Sequence, residues 1–189
     1  MSQLSQTSGK FKNNADILLQ ETDLISQLKS FGDVFFSGAY AGNVMMHGDI
    51  DITVVRENPY LAEEVLDILK FLYLKGKFRS YFIKGDWDDS RKGAEFPHGH
   101  YIGLKQRLGE EKWKVDIWFV GRAEFEDRKK KFLNIGDVVL TGEQRELILS
   151  FKKYRNDHNL DISGQEIYDA VLNKSIKNIK QFIKTISKD

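Results

Sequence analysis

The chain has 189 residues, enough for one compact domain with a small helical appendage. With 41% hydrophobic and 30% charged residues, Pro 2 and Gly 15, a core can be buried, which excludes wholesale disorder and fibrous or low-complexity chains. Lys+Arg 29 against Asp+Glu 28 leaves a net charge of +1 and there are no cysteines, so the overall charge does not mark a polyanion binder, and disulfides, thiol nucleophiles and Cys-ligated metals are excluded.

Residues 1–12 are polar and Ser/Gln-rich and read as a loose arm. They lack the apolar core of a secretory signal, and no run approaches the ~18 apolar residues of a membrane span, so no membrane association and a cytoplasmic location are expected. Ile17, Leu18, Leu24, Ile25 and Leu28 form one stripe of a helix over 15–29. Residues 34–36 are a short buried strand, and the small-residue stretch 37–42 follows it. Residues 50–55, rich in β-branched side chains, read as a strand. A helix over 60–73, a strand over 78–83 and a long loop over 85–99 come next. Residues 101–104 and 112–120 make an antiparallel pair across the polar turn 107–111. In the second of these strands Trp113, Val115, Ile117 and Phe119 share one face, and Lys114, Asp116 and Trp118 the other.

Beyond Gly121 the pattern is helical. Thr141 with Gln144, and Ser163 with Glu166, are capping-box spacings that open helices near 142–157 and 164–173. Ile176, Ile179, Phe182, Ile183 and Ile186 make a further stripe over 175–187. The expected fold class is α+β: a mixed central β-sheet flanked by helices over residues 1–121, with a C-terminal helical region, 122–189, packed on it.

The chemistry concentrates in Gly48-Asp49-Ile50-Asp51-Ile52. Residues two apart on a strand project to one face, so Asp49 and Asp51 emerge together, roughly 6.6 Å apart along the chain. Two carboxylates at the mouth of an apolar strand are costly unless solvated or neutralised by cations. A divalent ion with oxygen ligands is one neutraliser; a strand-end turn with solvated acids is the other reading. Asp116, among Val115, Ile117, Trp118 and Phe119, is either salt-bridged to a sheet lysine or arginine or part of a site. Three carboxylates on two strands suit two-metal phosphoryl transfer. The turn Ser37-Gly38-Ala39-Tyr40-Ala41-Gly42 allows close backbone approach and N–H contacts to phosphate, or simply tight packing.

Phe36-Ser37-Gly38-Ala39-Tyr40-Ala41-Gly42, then Gly48-Asp49-Ile50-Asp51, then Val115-Asp116-Ile117 resembles the DNA polymerase beta-like nucleotidyltransferase superfamily over roughly residues 30–120. The resemblance implies a nucleotidyltransferase-like mixed sheet, two Mg²⁺ (or Mn²⁺) ions, and transfer of a nucleoside monophosphate from a nucleoside triphosphate, ATP being the expected one, with release of pyrophosphate. It implies Asp49 and Asp51 as metal ligands, Asp116 as metal ligand or general base, and Ser37, Gly38 and Ala39 in the phosphate-binding turn. The acceptor is expected to be a hydroxyl of a small molecule or a protein side chain. Ala39 stands where the family's serine falls, and a lost charge-assisted hydrogen bond is worth ~1.5–3 kcal/mol. A catalytically degenerate fold that binds nucleotide or a partner is therefore the alternative.

Other features carry two readings each. Lys114 shares the face of Asp116 and contacts phosphate or pairs with that aspartate. Trp118 stacks a base or packs inside. Lys152, Lys153 and Arg155 face the cleft in the reading that gives them triphosphate. His47, His98 and His100 are surface histidines or ligands, and Asp86, Asp88 and Asp89 form an acidic loop. Lys177, Lys180, Lys184 and Lys188 are a solvated face or a contact surface for a nucleic-acid acceptor.

Overall fold

The computed structural model describes residues 2–84 and 96–186. Helix α1 (Gln3–Thr22) comes first, so residues 3–12 are its opening half rather than a loose arm. The Ser2 side chain caps it by accepting from the Ser5 N–H, satisfying one of the free N–H groups of the first turn. Leu4, Ser8, Phe11, Ala15 and Leu18 continue the helical spacing that the polar composition conceals. Ser5 Oγ donates to Glu146, Arg145 donates to Ser5 Oγ at 2.5 Å, and Ser8 Oγ donates to the Asn43 carbonyl at 3.2 Å. These tertiary bonds make an arm-like sequence helical. The helix expected over 15–29 is interrupted at Asp23, whose φ of 52° starts a separate α2 (Leu24–Lys29).

Strand β1 (Asp33–Ser37), the one-turn helix α3 (Gly38–Ala41), β2 (Gly48–Arg56), α4 (Ala62–Lys75) and β3 (Ser80–Lys84) follow. The expected loop over 85–99 falls largely on 85–95, outside the described residues, as do Asp86, Asp88 and Asp89. Then come β4 (His100–Leu108) and β5 (Glu111–Gly121), α5 (Arg122–Lys131), a 3₁₀ turn (Ile135–Asp137), α6 (Gly142–Asp157), α7 (Gly164–Leu172) and α8 (Ile179–Ile186). Both capping boxes form: Thr141 Oγ1 accepts from the Gln144 N–H, and Ser163 Oγ from the Glu166 N–H, each at 3.1 Å.

The strand order is β1-β2-β5-β4-β3. β2 and β5 run parallel, and every other pair is antiparallel. The fold is thus a mixed sheet flanked by helices. One face carries Ile50, Ile52, Val54, Trp113, Val115, Ile117 and Phe119, buried beneath α1, α2 and α4. Burying that apolar row, at roughly 25 cal/mol per Å², sets the register of β2 and β5, because a slip of one residue would put the aspartates in the core. A second cluster, built on Val44, Ile148, Phe151, Ile167 and Phe182, joins α6, α7 and α8 to the segment that precedes β2. Phe151 and Phe182 stack at 4.4 Å between ring centroids.

Candidate metal and nucleotide site

The parallel pairing of β2 with β5 places Asp51 directly opposite Asp116 and Asp49 opposite Lys114. Ser37 faces Asp51 across β1, and Gly103 faces Asp116 across β4. Opposed residues project to the same side of a sheet. Ser37, Asp51 and Asp116 therefore form one row on the face opposite the apolar core. Asp49, Asp51 and Asp116 each bring a carboxylate oxygen within 4.8 Å of the other two.

Glycine makes this possible at two positions. Gly38 has φ +62°, and a Cβ there would stand 2.1 Å from Asp51 Oδ2. Only a residue without a side chain lets α3 begin against that carboxylate. At Gly103 a Cβ would lie 2.6 Å from Tyr101 Oη. Its absence lets Tyr101 lie along the strand and donate to Asp116 Oδ1 at 2.5 Å.

Electrostatics show what the cluster requires. Burial, reinforced by Asp49 and Asp116, pushes the Asp51 carboxyl up to about 7. Burial also raises Asp49, Asp116 adds to it, and Lys114 opposes it. Asp49 Oδ1 is buried without a hydrogen-bond partner. An unpartnered buried carboxylate oxygen is expensive, and a cation shared by the three neighbouring carboxylates would offset that cost. Their oxygen-only donor set fits Mg²⁺ or Mn²⁺. Lys114 forms an ion pair with Asp116 Oδ2, so of its two readings the structure shows pairing with aspartate.

In sequence order the site runs through a strand, a glycine turn, a strand bearing Asp-x-Asp and a later parallel strand bearing the third aspartate. No protein-family model matches the chain, and no curated protein matches it in sequence. Among solved structures it is similar to the Cid1 poly(U) polymerase with Mg and 3'-dATP bound. That match has TM-score 0.49 and 12% identity, covering 78% of this chain and 42% of that one. It is also similar to the GLD-2/RNP-8 complex, with TM-score 0.47 and 12% identity, covering 96% and 66%. For the non-canonical poly(A) polymerase complex GLD-2–GLD-3 the values are 0.44, 11%, 82% and 51%. The chain thus spans about two fifths to two thirds of the length of these neighbours. The chemistry of this chain has to be read from its own aspartates.

The remaining sequence candidates fall in varied places. Ser37 lies beside the cluster and makes no capping hydrogen bond with its side chain. Ala39 is half-buried in α3, and its carbonyl accepts from the Val44 N–H at 2.9 Å. Lys152 does not stand open in the cleft: it is buried, its Nζ donating to the Val44 carbonyl at 3.2 Å and meeting the Tyr168 hydroxyl at 2.9 Å. Burial, helped by Arg155, lowers it to about 8, while Asp51 and Asp49 pull the other way. Lys153 is exposed and pairs with Asp157, and Arg155 donates to the Ile162 carbonyl. The histidines do not assemble: His47 is exposed, the His98 N–H donates to Glu124, and His100 Nε2 meets the Tyr60 carbonyl at 3.1 Å. Trp118 is half-buried, stacked on Phe96 at 5.9 Å and tilted against Tyr101 at 5.4 Å. Lys177, Lys180 and Lys184 are exposed, and Lys188 lies outside the described residues. Among the described residues no helix is long and apolar enough to cross a membrane.

Sequence reasoning missed Tyr101. Its only signal was a place on a strand predicted to pair with that of Asp116, and contact required both the register and the gap at Gly103.

Proposed function

We propose that this chain is a metal-dependent nucleotidyltransferase, moving a nucleoside monophosphate from a nucleoside triphosphate to a hydroxyl of a small molecule, a protein side chain or a polynucleotide end. The observation that supports it is the meeting of three carboxylates, one with a buried, unpartnered oxygen, beside a glycine turn. Asp49, Asp51 and Asp116 would hold Mg²⁺ or Mn²⁺. When bound, the ions supply charge neutralisation at the triphosphate and a more acidic acceptor hydroxyl. In this reading the backbone at Gly38 allows a close approach of the phosphates, and the Ser37 hydroxyl would donate to them. Asp116 takes the acceptor's proton as the acceptor oxygen bonds to the α-phosphorus and the bond to pyrophosphate breaks. Tyr101 and Lys114 hold Asp116 by its two oxygens and so keep its orientation.

The test is release of pyrophosphate from radiolabelled nucleoside triphosphates, ATP first, with Mg²⁺ or Mn²⁺ and a panel of acceptors. Loss of turnover by at least about a hundredfold in Asp49→Asn is expected, a barrier increase of about 2.7 kcal/mol. Turnover unchanged in that variant overturns the assignment. Ala39, which offers no hydroxyl, favours a second reading as a nucleotide-binding protein. Mg²⁺-dependent binding without pyrophosphate release would support that reading.

A further inference from the structure

The β4–β5 hairpin concentrates cations on an otherwise balanced protein. Its register sets Lys105 opposite Lys114 and Arg107 opposite Lys112, two like-charge pairs in succession. Like charges directly opposed across strands destabilise a sheet. Arg79, whose N–H donates to the Lys105 carbonyl at 2.9 Å, contributes its side chain at the rim of the groove that they line. Arg79, Lys105, Arg107 and Lys112 are all exposed. Among the described residues none of the four pairs with a carboxylate: nearby Glu111 is taken by Lys10 and Asn14, and Glu110 stands exposed in the turn. The four line a groove of about 380 Å³ with Trp113. Beside it the Lys105 ammonium lies 5.2 Å from the centre of the half-buried Phe82 ring.

The sheet face that carries Lys105, Arg107 and Lys112 also carries Lys114 and Asp116. Lys112, Lys114 and Asp116 alternate along one strand face at ~6.8 Å steps, and Lys114 lies opposite Asp49. A chain of phosphates following the hairpin therefore ends at the carboxylates. Positive charge along an open sheet, with an aromatic face beside it, is how proteins hold a single strand without reading its sequence.

We propose that the Arg79–Lys105–Arg107–Lys112 groove binds single-stranded nucleic acid and leads its end to Asp49, Asp51 and Asp116. This deepens the transferase reading by naming the acceptor class, and it rests on that reading only for the chemistry at the strand's end.

The test is fluorescence anisotropy of a labelled single-stranded RNA of roughly 12 nucleotides with the full chain as Asp49→Asn, in EDTA and without nucleotide. Binding should weaken between about 50 and 200 mM salt, with a log–log slope near −3 for four phosphate contacts. Arg107→Gln with Lys112→Gln should about halve that slope and weaken binding at least about tenfold at low salt. Arg79→Gln with Lys105→Gln should act alike, each fold being checked by circular dichroism. A Lys177→Gln, Lys180→Gln, Lys184→Gln variant should bind as the parent does. No RNA binding, no salt dependence, loss only in the tail variant, or equal affinity for duplex RNA or polyglutamate overturns the proposal. Because neither metal nor nucleotide is present, failed nucleotidyl transfer leaves this result unmoved, and failed binding leaves transfer to other acceptors open to measurement.

Discussion

Asp51→Asn should make the metal-free protein more stable and abolish its use of metal. The Asp51 carboxyl lies between Asp49 and Asp116 and is raised from 3.8 to about 7. Between those values the unfolded chain has released its proton while the folded chain keeps it, so stability falls as pH rises from about 4 to 7 and is level above. Roughly three pH units at ~1.36 kcal/mol each set a ceiling of about 4 kcal/mol. Proton sharing with Asp49 reduces this to about 2 kcal/mol. Urea unfolding of both proteins in EDTA should show a gap in favour of Asp51→Asn that widens by about 2 kcal/mol between about pH 5 and pH 8. Added Mg²⁺ should reverse the order, since a ligand at a hundred times its Kd stabilises the wild type by ~2.7 kcal/mol. A less stable Asp51→Asn protein at the higher pH, or a gap independent of pH, would refute the reasoning that these carboxylates are held together against their own charge.

Gly38→Ala should cost ~1–2 kcal/mol through its left-handed backbone alone, lowering Tm by about 3–6 °C. Its Cβ also displaces Asp51 Oδ2, so Mn²⁺ affinity by titration should drop with it; wild-type values for both would show that α3 does not abut the site. Tyr101→Phe removes the hydroxyl that holds Asp116 Oδ1, and Mn²⁺ binding should weaken about ten- to a hundredfold with the circular dichroism spectrum unchanged. Equal Mn²⁺ affinity in that variant would remove Tyr101 from the positioning of Asp116.

Much of the fold was legible because local rules and burial agree. The alternation of Ile50, Ile52 and Val54 with Asp49 and Asp51, and of Val115 and Ile117 with Asp116, states which side each carboxylate takes. Thr141 with Gln144, and Ser163 with Glu166, start their helices where capping chemistry dictates. The opening of α1 was not legible, because Ser5 and Ser8 earn their helical place from Glu146, Arg145 and Asn43, more than thirty residues away.

What the sequence by itself determined was a pair of strands with acids on one face and a core on the other, since a period of two needs no partner to be read. That β2 and β5 are parallel neighbours, bringing Asp51 opposite Asp116, was decided only by the tertiary structure. So were the Tyr101 bond to Asp116, the inward turn of Lys152 and the succession of cations along the β4–β5 hairpin. Strand neighbours and register depend on how two apolar faces share one core, a property of the packed sheet that no single segment contains.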